Sequence, residues 1–279
     1  MTIESPRTNG WTAFWNRGGF WRAVLAAVVY IAIYLGAGFL VGRLFGDQID
    51  VDDLLGTPQS VFFGLMVPLI IGSIVLVVFI ASVGWFRPLF SRQPIKGKWW
   101  MWVAPVLVAV AIVLRLFGID YGSYKPSVVA LVLITGIFIG FAEETLTRGI
   151  VVKMLRDSGK SEWVVMVLSS LVFALLHASN LFSMPLLTVL PTIGFTFAFG
   201  ICMYLTLRVT GNLIWPIILH ALYDPTLFLA SGGIDHVPAG GQSALLVLAG
   251  PANIVYIVIA VVALIFVRGR VPNTAPLSV

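Results

Sequence analysis

The sequence predicts an all-α membrane protein, a single polytopic bundle of about eight transmembrane helices with both termini in the cytoplasm. Three observations carry that expectation. Of 279 residues, 59% are hydrophobic and only 10% are charged, whereas a water-soluble domain carries roughly a quarter charged residues. The apolar residues gather in uncharged runs of the ~20 residues that a helix needs to cross a bilayer. The cations between those runs are distributed unequally on its two sides. So few charges cannot coat a water-facing surface of this size, and lipid must solvate much of the chain.

The runs follow one another with short connections. Ala23 to Gly42 is the first and ends at Arg43; Val61 to Phe86 is the second and ends at Arg87. Trp99 to Leu114 is the third, entered through Trp99, Trp100 and Trp102, which suit the aromatic belt at a membrane interface. The fourth starts near Ser127 and continues past Glu143 and Glu144 towards Lys153. Trp163 to His177, Met184 to Leu207, Leu213 to Leu229 and Ser243 to Val267 complete the set. Residues 1–22 and 268–279 read as cytoplasmic tails, 23–267 as one bundle, and Asp47 to Asp53 as an acidic loop.

With the N-terminus inside, the inner segments collect Arg7, Arg17, Arg22, Arg87, Arg92, Lys96, Lys98, Arg148, Lys153, Arg156, Lys160, Arg208, Arg268 and Arg270. Arg43, Arg115 and Lys125 fall outside. That asymmetry is what the positive-inside rule expects of an even number of spans. The net charge of +5 therefore reflects orientation in the membrane, and the partners it implies are a lipid bilayer and no nucleic acid. The single Cys202 excludes an intrachain disulfide framework and reads as a buried, inert thiol.

Ionisable side chains inside a membrane cost several kcal/mol unless paired or solvated, so each is a candidate for function. Three runs carry them: Glu143-Glu144-Thr-Leu-Thr-Arg148, Phe173-Ala-Leu-Leu-His177 and His220-Ala-Leu-Tyr-Asp224. Glu144 and Arg148 are one helical turn apart and able to pair, which makes Glu144 a brace. Glu143 then points about 100° away around the helix. His220 and Asp224 also stack one turn apart and can reach a common point. At 1.5 Å per residue from the inner interface, Glu143, His177, His220 and Asp224 lie roughly 20, 22, 12 and 18 Å deep, near or just past the midplane.

Local sequence favours close helix approach there. Gly136-Ile-Phe-Ile-Gly140 presents a small-residue face. Pro216 removes a backbone bond and is expected to kink the seventh run. Pro225 deprives the Ala221 carbonyl of its usual donor, which fits a hydrated cavity. Asp235, His236 and the acidic loop are expected to face water on the outer side.

These three motifs, in this order, resemble the CAAX-protease and bacteriocin-processing (CPBP, or Abi) family of intramembrane proteases, whose pattern is Glu-Glu-x-x-x-Arg, Phe-x-x-x-His and His-x-x-x-Asn/Asp. The likeness extends over about residues 125–230, and the remaining runs match only as generic spans. It implies an endopeptidase that hydrolyses a peptide bond of a membrane-associated peptide or protein. By the same resemblance Glu143 and His177 activate the attacking water, and His220 and Asp224 stabilise the oxyanion. Glu144, Arg148 and Phe173 are then structural or substrate-orienting.

The bare chemistry agrees. Amide hydrolysis needs a base to deprotonate water, and a carboxylate shielded from bulk water suits that task. It also needs a donor near the developing oxyanion. An aspartate at 224 donates only when protonated, where an asparagine would donate always. Glu143, His177, His220 and Asp224 are all competent zinc ligands, so a Zn2+ metalloprotease and a metal-free glutamate-type hydrolase both stay open. The alternatives in function are a catalytically silent relative, serving as scaffold or bacteriocin-immunity protein, and a small transporter using its midplane carboxylates. The short loops and tails suggest a multi-pass protein of a bacterial inner membrane.

Overall fold

The computed structural model describes residues 9–182, 184–233 and 243–271; Asp235, His236, residues 1–8 of the expected N-terminal tail and 272–279 of the C-terminal tail lie outside them. Among the described residues every element is helical apart from one isolated bridge, Ser161 to Arg270. The helices are α1 (Gly10–Asn16), α2 (Phe20–Phe45), α3 (Val67–Val83), α4 (Phe86–Phe90), α5 (Val103–Gly118) and α6 (Pro126–Glu144). They are followed by α7 (Val152–Asp157), α8 (Glu162–Leu176), α9 (Leu186–Thr210), α10 (Ile214–Ser231), α11 (Ala244–Ala249) and α12 (Ala252–Phe266).

Seven continuous helical segments are long and apolar enough to cross a membrane: Phe20–Gln48, Ser60–Val83, Trp99–Gly118, Pro126–Asp157, Glu162–Phe182, Leu186–Thr210 and Ala244–Phe266. Each overlaps one of the apolar runs in the sequence. The remaining run forms α10, which is helical over 18 residues. His220, Asp224, Pro216 and Pro225 make it more polar than the rest, and its lining against α6 and α5 shelters those groups from lipid. The outward faces of the bundle are apolar, with Phe39 and Leu40 on α2 and Val258 and Phe266 on α12 among the exposed side chains. The chain is thus a multi-pass helical bundle.

Several helices change pitch. The segment Thr145–Val151 between α6 and α7 is a π-helix, and His177–Phe182 after α8 is a 3-10 helix. Another π segment, Ser60–Met66, precedes α3. Such pitch changes inside long helices are frequent at functional sites. Here the first lies directly after Glu143 and Glu144, and the second begins on His177.

The tightest helix pair joins α6 to α10, and glycine makes it. A Cβ placed on Gly140 would stand 2.5 Å from the Ile217 carbonyl oxygen and 2.6 Å from Ala221 N. One placed on Gly136 would collide with the Ala221 carbonyl oxygen and the Pro225 ring. The small-residue face therefore approaches the helix that carries His220 and Asp224. The Ala221 carbonyl, which Pro225 leaves without an α-helical donor, lies over Gly136. Pro216 does not act as expected: it occupies the first turn of α10, where the N–H has no intrahelical partner to lose, so no kink follows.

The turn before α10 is fixed by Gly211, whose φ of 72° ends α9 in the left-handed region. Asn212 follows; its Oδ1 accepts from Ile214 N at 2.8 Å and its Nδ2 donates to the Phe90 carbonyl at 3.2 Å. At the same end of the bundle, Arg156 grips Glu162 through two bonds of 2.8 and 2.7 Å. Arg208 Nη1 reaches the same carboxylate at 3.0 Å and Tyr204 donates to it at 2.5 Å. Arg156 also bonds Gln93, and Arg208 bonds the Lys96 carbonyl at 3.1 Å. This cluster ties the 91–98 loop to the ends of α7, α8 and α9. Cys202 is buried in the apolar core as an unpaired thiol.

Candidate active site

Three helices bring the expected residues together. Glu143 and Glu144 close α6, His177 opens the 3-10 turn after α8, and His220 and Asp224 lie on α10. Because successive residues on a helix diverge by about 100°, the two glutamates part company. Glu144 turns inward and is wholly buried, while Glu143 keeps a fifth of its side chain exposed.

Glu144 is the junction of the site. Its Oε1 accepts from Arg148 Nη1 at 3.1 Å and from His220 Nδ1 at 2.8 Å. The i,i+4 pairing expected of Glu144 and Arg148 is therefore formed, and its carboxylate is also the link to the third motif. Arg148 also donates Nη1 to Thr147 Oγ1 at 2.5 Å and Nη2 to the Gly200 carbonyl at 2.8 Å, while its Nε has no partner among the described residues. Its guanidinium lies 4.3 Å over the Phe173 ring, a cation–π contact that needs no water. The absence of a side chain at Gly200 makes this possible, since a Cβ there would stand 3.0 Å from Arg148 Nη2.

His220 is enclosed by carboxylates. Because a carboxylate can only accept, the Nδ1 facing Glu144 carries a proton. Its Nε2 faces Asp224 Oδ2 at 3.4 Å and Glu143 Oε2 at 3.9 Å. The faces of the ring are covered by Phe173 and Phe199, with centroids 5.6 and 5.2 Å away. Phe173 thus packs against Arg148, His177 and His220 together, with only 1% of its surface exposed; it is a wedge between the motifs.

Glu143 and His177 face open space. Both line a cavity of about 110 Å3 together with Tyr30, Tyr34, Ser179 and Asn180, and with the apolar Ile31, Leu69 and Leu176. That is room for several water molecules. His177 Nδ1 donates to its own Phe173 carbonyl at 3.2 Å, leaving Nε2 for the cavity. Glu143 Oε2 is buried without a hydrogen bond among the described residues, so a carboxylate stands desolvated at the cavity's inner end. His220 and Asp224 are not part of the cavity wall. His220 Nε2 lies 3.9 Å from Glu143 Oε2 on the cavity wall.

The arrangement does not make a zinc site as it stands. Among the described residues, no three His, Cys, Asp or Glu side chains are grouped to hold a metal ion. The cause lies in the partners: both His220 nitrogens are turned to carboxylates, and His177 has committed Nδ1 to its own helix.

Sequence reasoning missed the contribution of α2. Tyr30 and Tyr34, one turn apart on that helix, form a wall of the cavity. A signal was present, because both tyrosines sit in mid-span, away from the interface where membrane tyrosines concentrate. Phe199 and Gly200 on α9 left no such signal; their role depends on which face of α9 meets Phe173.

Residues 125–226 match a family model described as type II CAAX prenyl endopeptidase Rce1-like. The matched segment runs from the start of α6 to just past Asp224 and contains all three motifs. The chain matches no curated protein and no solved structure.

Proposed function

We propose that this chain, a multi-pass membrane protein whose residues 125–226 form an Rce1-like domain of the CAAX-protease type, is an intramembrane endopeptidase of the glutamate type. One observation carries the reading: Glu143 and His177 line one cavity with room for several water molecules, and His220 Nε2 stands 3.9 Å behind the carboxylate. Its substrate is a peptide or membrane-protein segment that reaches the cavity from the bilayer or from the cytoplasm. The protein belongs in this account to a bacterial inner membrane, with both termini cytoplasmic.

The chemistry follows from the partners. A water in the cavity gives a hydrogen bond to His177 Nε2 and a proton to Glu143 as its oxygen adds to the scissile carbonyl carbon. The carbonyl becomes a tetrahedral oxyanion. When it collapses, the C–N bond breaks and Glu143 passes the proton to the departing amine, leaving a carboxylic acid and an amine. Glu143 ends as it began. His220 faces that carboxylate at 3.9 Å and favours its charge when protonated, Asp224 and Glu144 flank the imidazole, and Arg148 balances Glu144.

Comparison of new peptide termini in membranes carrying the wild type or Glu143→Gln tests this directly. Termini present with the wild type and lost with the variant are expected. Identical sets would refute the endopeptidase and favour a scaffold or immunity role for the same polar core.

A further inference from the structure

We infer that Tyr30 and Tyr34 supply the hydrogen-bond donors that hold the oxyanion during hydrolysis; this rests on the endopeptidase reading above. Both belong to α2, nearly a hundred residues before the segment matched by the family model. The fold carries them to the cavity that Glu143 and His177 line.

The case begins with a shortage of donors. Carboxylates dominate the centre, in Glu143, Glu144 and Asp224, and an ionised carboxylate only accepts. His220 turns both nitrogens to those carboxylates, at 2.8, 3.4 and 3.9 Å. Arg148 bonds Glu144, Thr147 and Gly200; its Nε has no partner among the described residues, but the side chain lies under Phe173 and does not line the cavity. On the cavity wall, the Ser179 hydroxyl donates to the Leu176 carbonyl at 2.8 Å, and Asn180 is already partnered. The two phenols remain. Neither hydroxyl gives a hydrogen bond to another described residue.

Their placement is built. Tyr30 and Tyr34 stack with centroids 6.4 Å apart and planes within 14° of parallel, and both line the cavity. Tyr30 is 5% exposed, and its ring tip passes over Gly72 of α3, where a Cβ would stand 2.8 Å from the hydroxyl. A tyrosine hydroxyl in mid-membrane needs a polar partner, and the cavity is where one would be. A phenol keeps its proton and donates whatever the state of Asp224, which supplies what an asparagine at 224 would have supplied. Tyrosine hydroxyls are established oxyanion donors, and removal of one donor lowers kcat by about 10²–10³-fold.

The test uses the full chain in membranes at matched abundance, in four forms: wild type, Glu143→Gln, Tyr30→Phe and Tyr30→Phe/Tyr34→Phe. New peptide termini made by the wild type and lost with Glu143→Gln identify a cleaved sequence. A synthetic peptide of that sequence then gives kcat and KM. The double variant is expected to lose at least about 10²-fold in kcat with KM unchanged. The same peptide should bind Glu143→Gln equally with and without the two phenylalanines, which keep the rings and their packing. A kcat within about twofold of wild type would overturn the inference, as would a loss carried by KM. If the double variant fails to accumulate, a Tyr30→Phe single variant of unchanged kcat overturns it as well. No difference between wild type and Glu143→Gln would instead remove the endopeptidase reading itself, a separate result.

Discussion

Replacing Gly140 by alanine adds one methyl group at a place with no space for it. The new Cβ would stand 2.5 Å from the Ile217 carbonyl oxygen and 2.6 Å from Ala221 N, both backbone atoms that cannot rotate aside. Ordinary contact begins at 3.4 Å, so α6 and α10 must separate by about 0.9 Å locally. The bond from His220 Nδ1 to Glu144, now 2.8 Å, would be stretched past hydrogen-bond range if the displacement fell along it. Overpacking of this kind costs about 1–3 kcal/mol of stability, and a 1 Å misplacement can lower a rate about 10²-fold. The expected outcome for Gly140→Ala is a folded protein whose cleavage products fall about 10²-fold. Gly194→Ala is the control, since a Cβ there meets nothing within 4 Å. The assay counts the new termini that depend on Glu143, at equal protein abundance. Full activity of Gly140→Ala would refute the claim that the α6–α10 spacing sets the site.

Other outcomes follow from the same geometry. Glu162→Gln breaks a buried carboxylate away from Arg156 and Arg208; a loss of about 3–5 kcal/mol is expected, read as a lower melting temperature in detergent. The reacting residues are unaffected by that change, because His177 lies about 22 Å further along the chain at helical rise, so kcat per folded molecule should hold. Dialysis of the purified protein against a chelator should leave cleavage intact, because both His220 nitrogens face carboxylates; activity lost and then restored by zinc would contradict the metal-free mechanism. For topology, Asp52→Cys and Ser91→Cys place thiols at exposed positions at the two ends of the second span, against a buried Cys202 that adds no background. An impermeant thiol reagent applied outside should label the first and spare the second.

The helices were legible because the bilayer imposes length and apolarity on each, and the apolar runs overlap the observed segments closely. The least apolar run was also the one that forms α10, where His220, Asp224 and two prolines are tolerated because α6 and α5 cover them. The pairing of Glu144 with Arg148 was legible from one-turn spacing alone. Its extension to His220 was not, since that contact depends on how near α10 comes to α6, and two glycines decide it. Pro216 misled, because a proline's effect depends on its distance from a helix start that sequence places only within a few residues. The π turn after Glu144 left no readable trace: Thr145, Leu146 and Thr147 suit an α-helix as well. The division of the polar cluster into a cavity-facing pair, Glu143 and His177, a buried pair, Glu144 and His220, and a half-buried Asp224 outside the cavity wall is a property of packing.

The central claim is that Glu143 in its cavity activates water to cut a peptide bond. Quantitative profiling of peptide termini in membranes carrying wild type, Glu143→Gln and His177→Ala, at matched protein level, tests it most directly. A set of termini made by the wild type is expected to fall at least about 10²-fold in both variants. Termini of equal abundance in all three would contradict it.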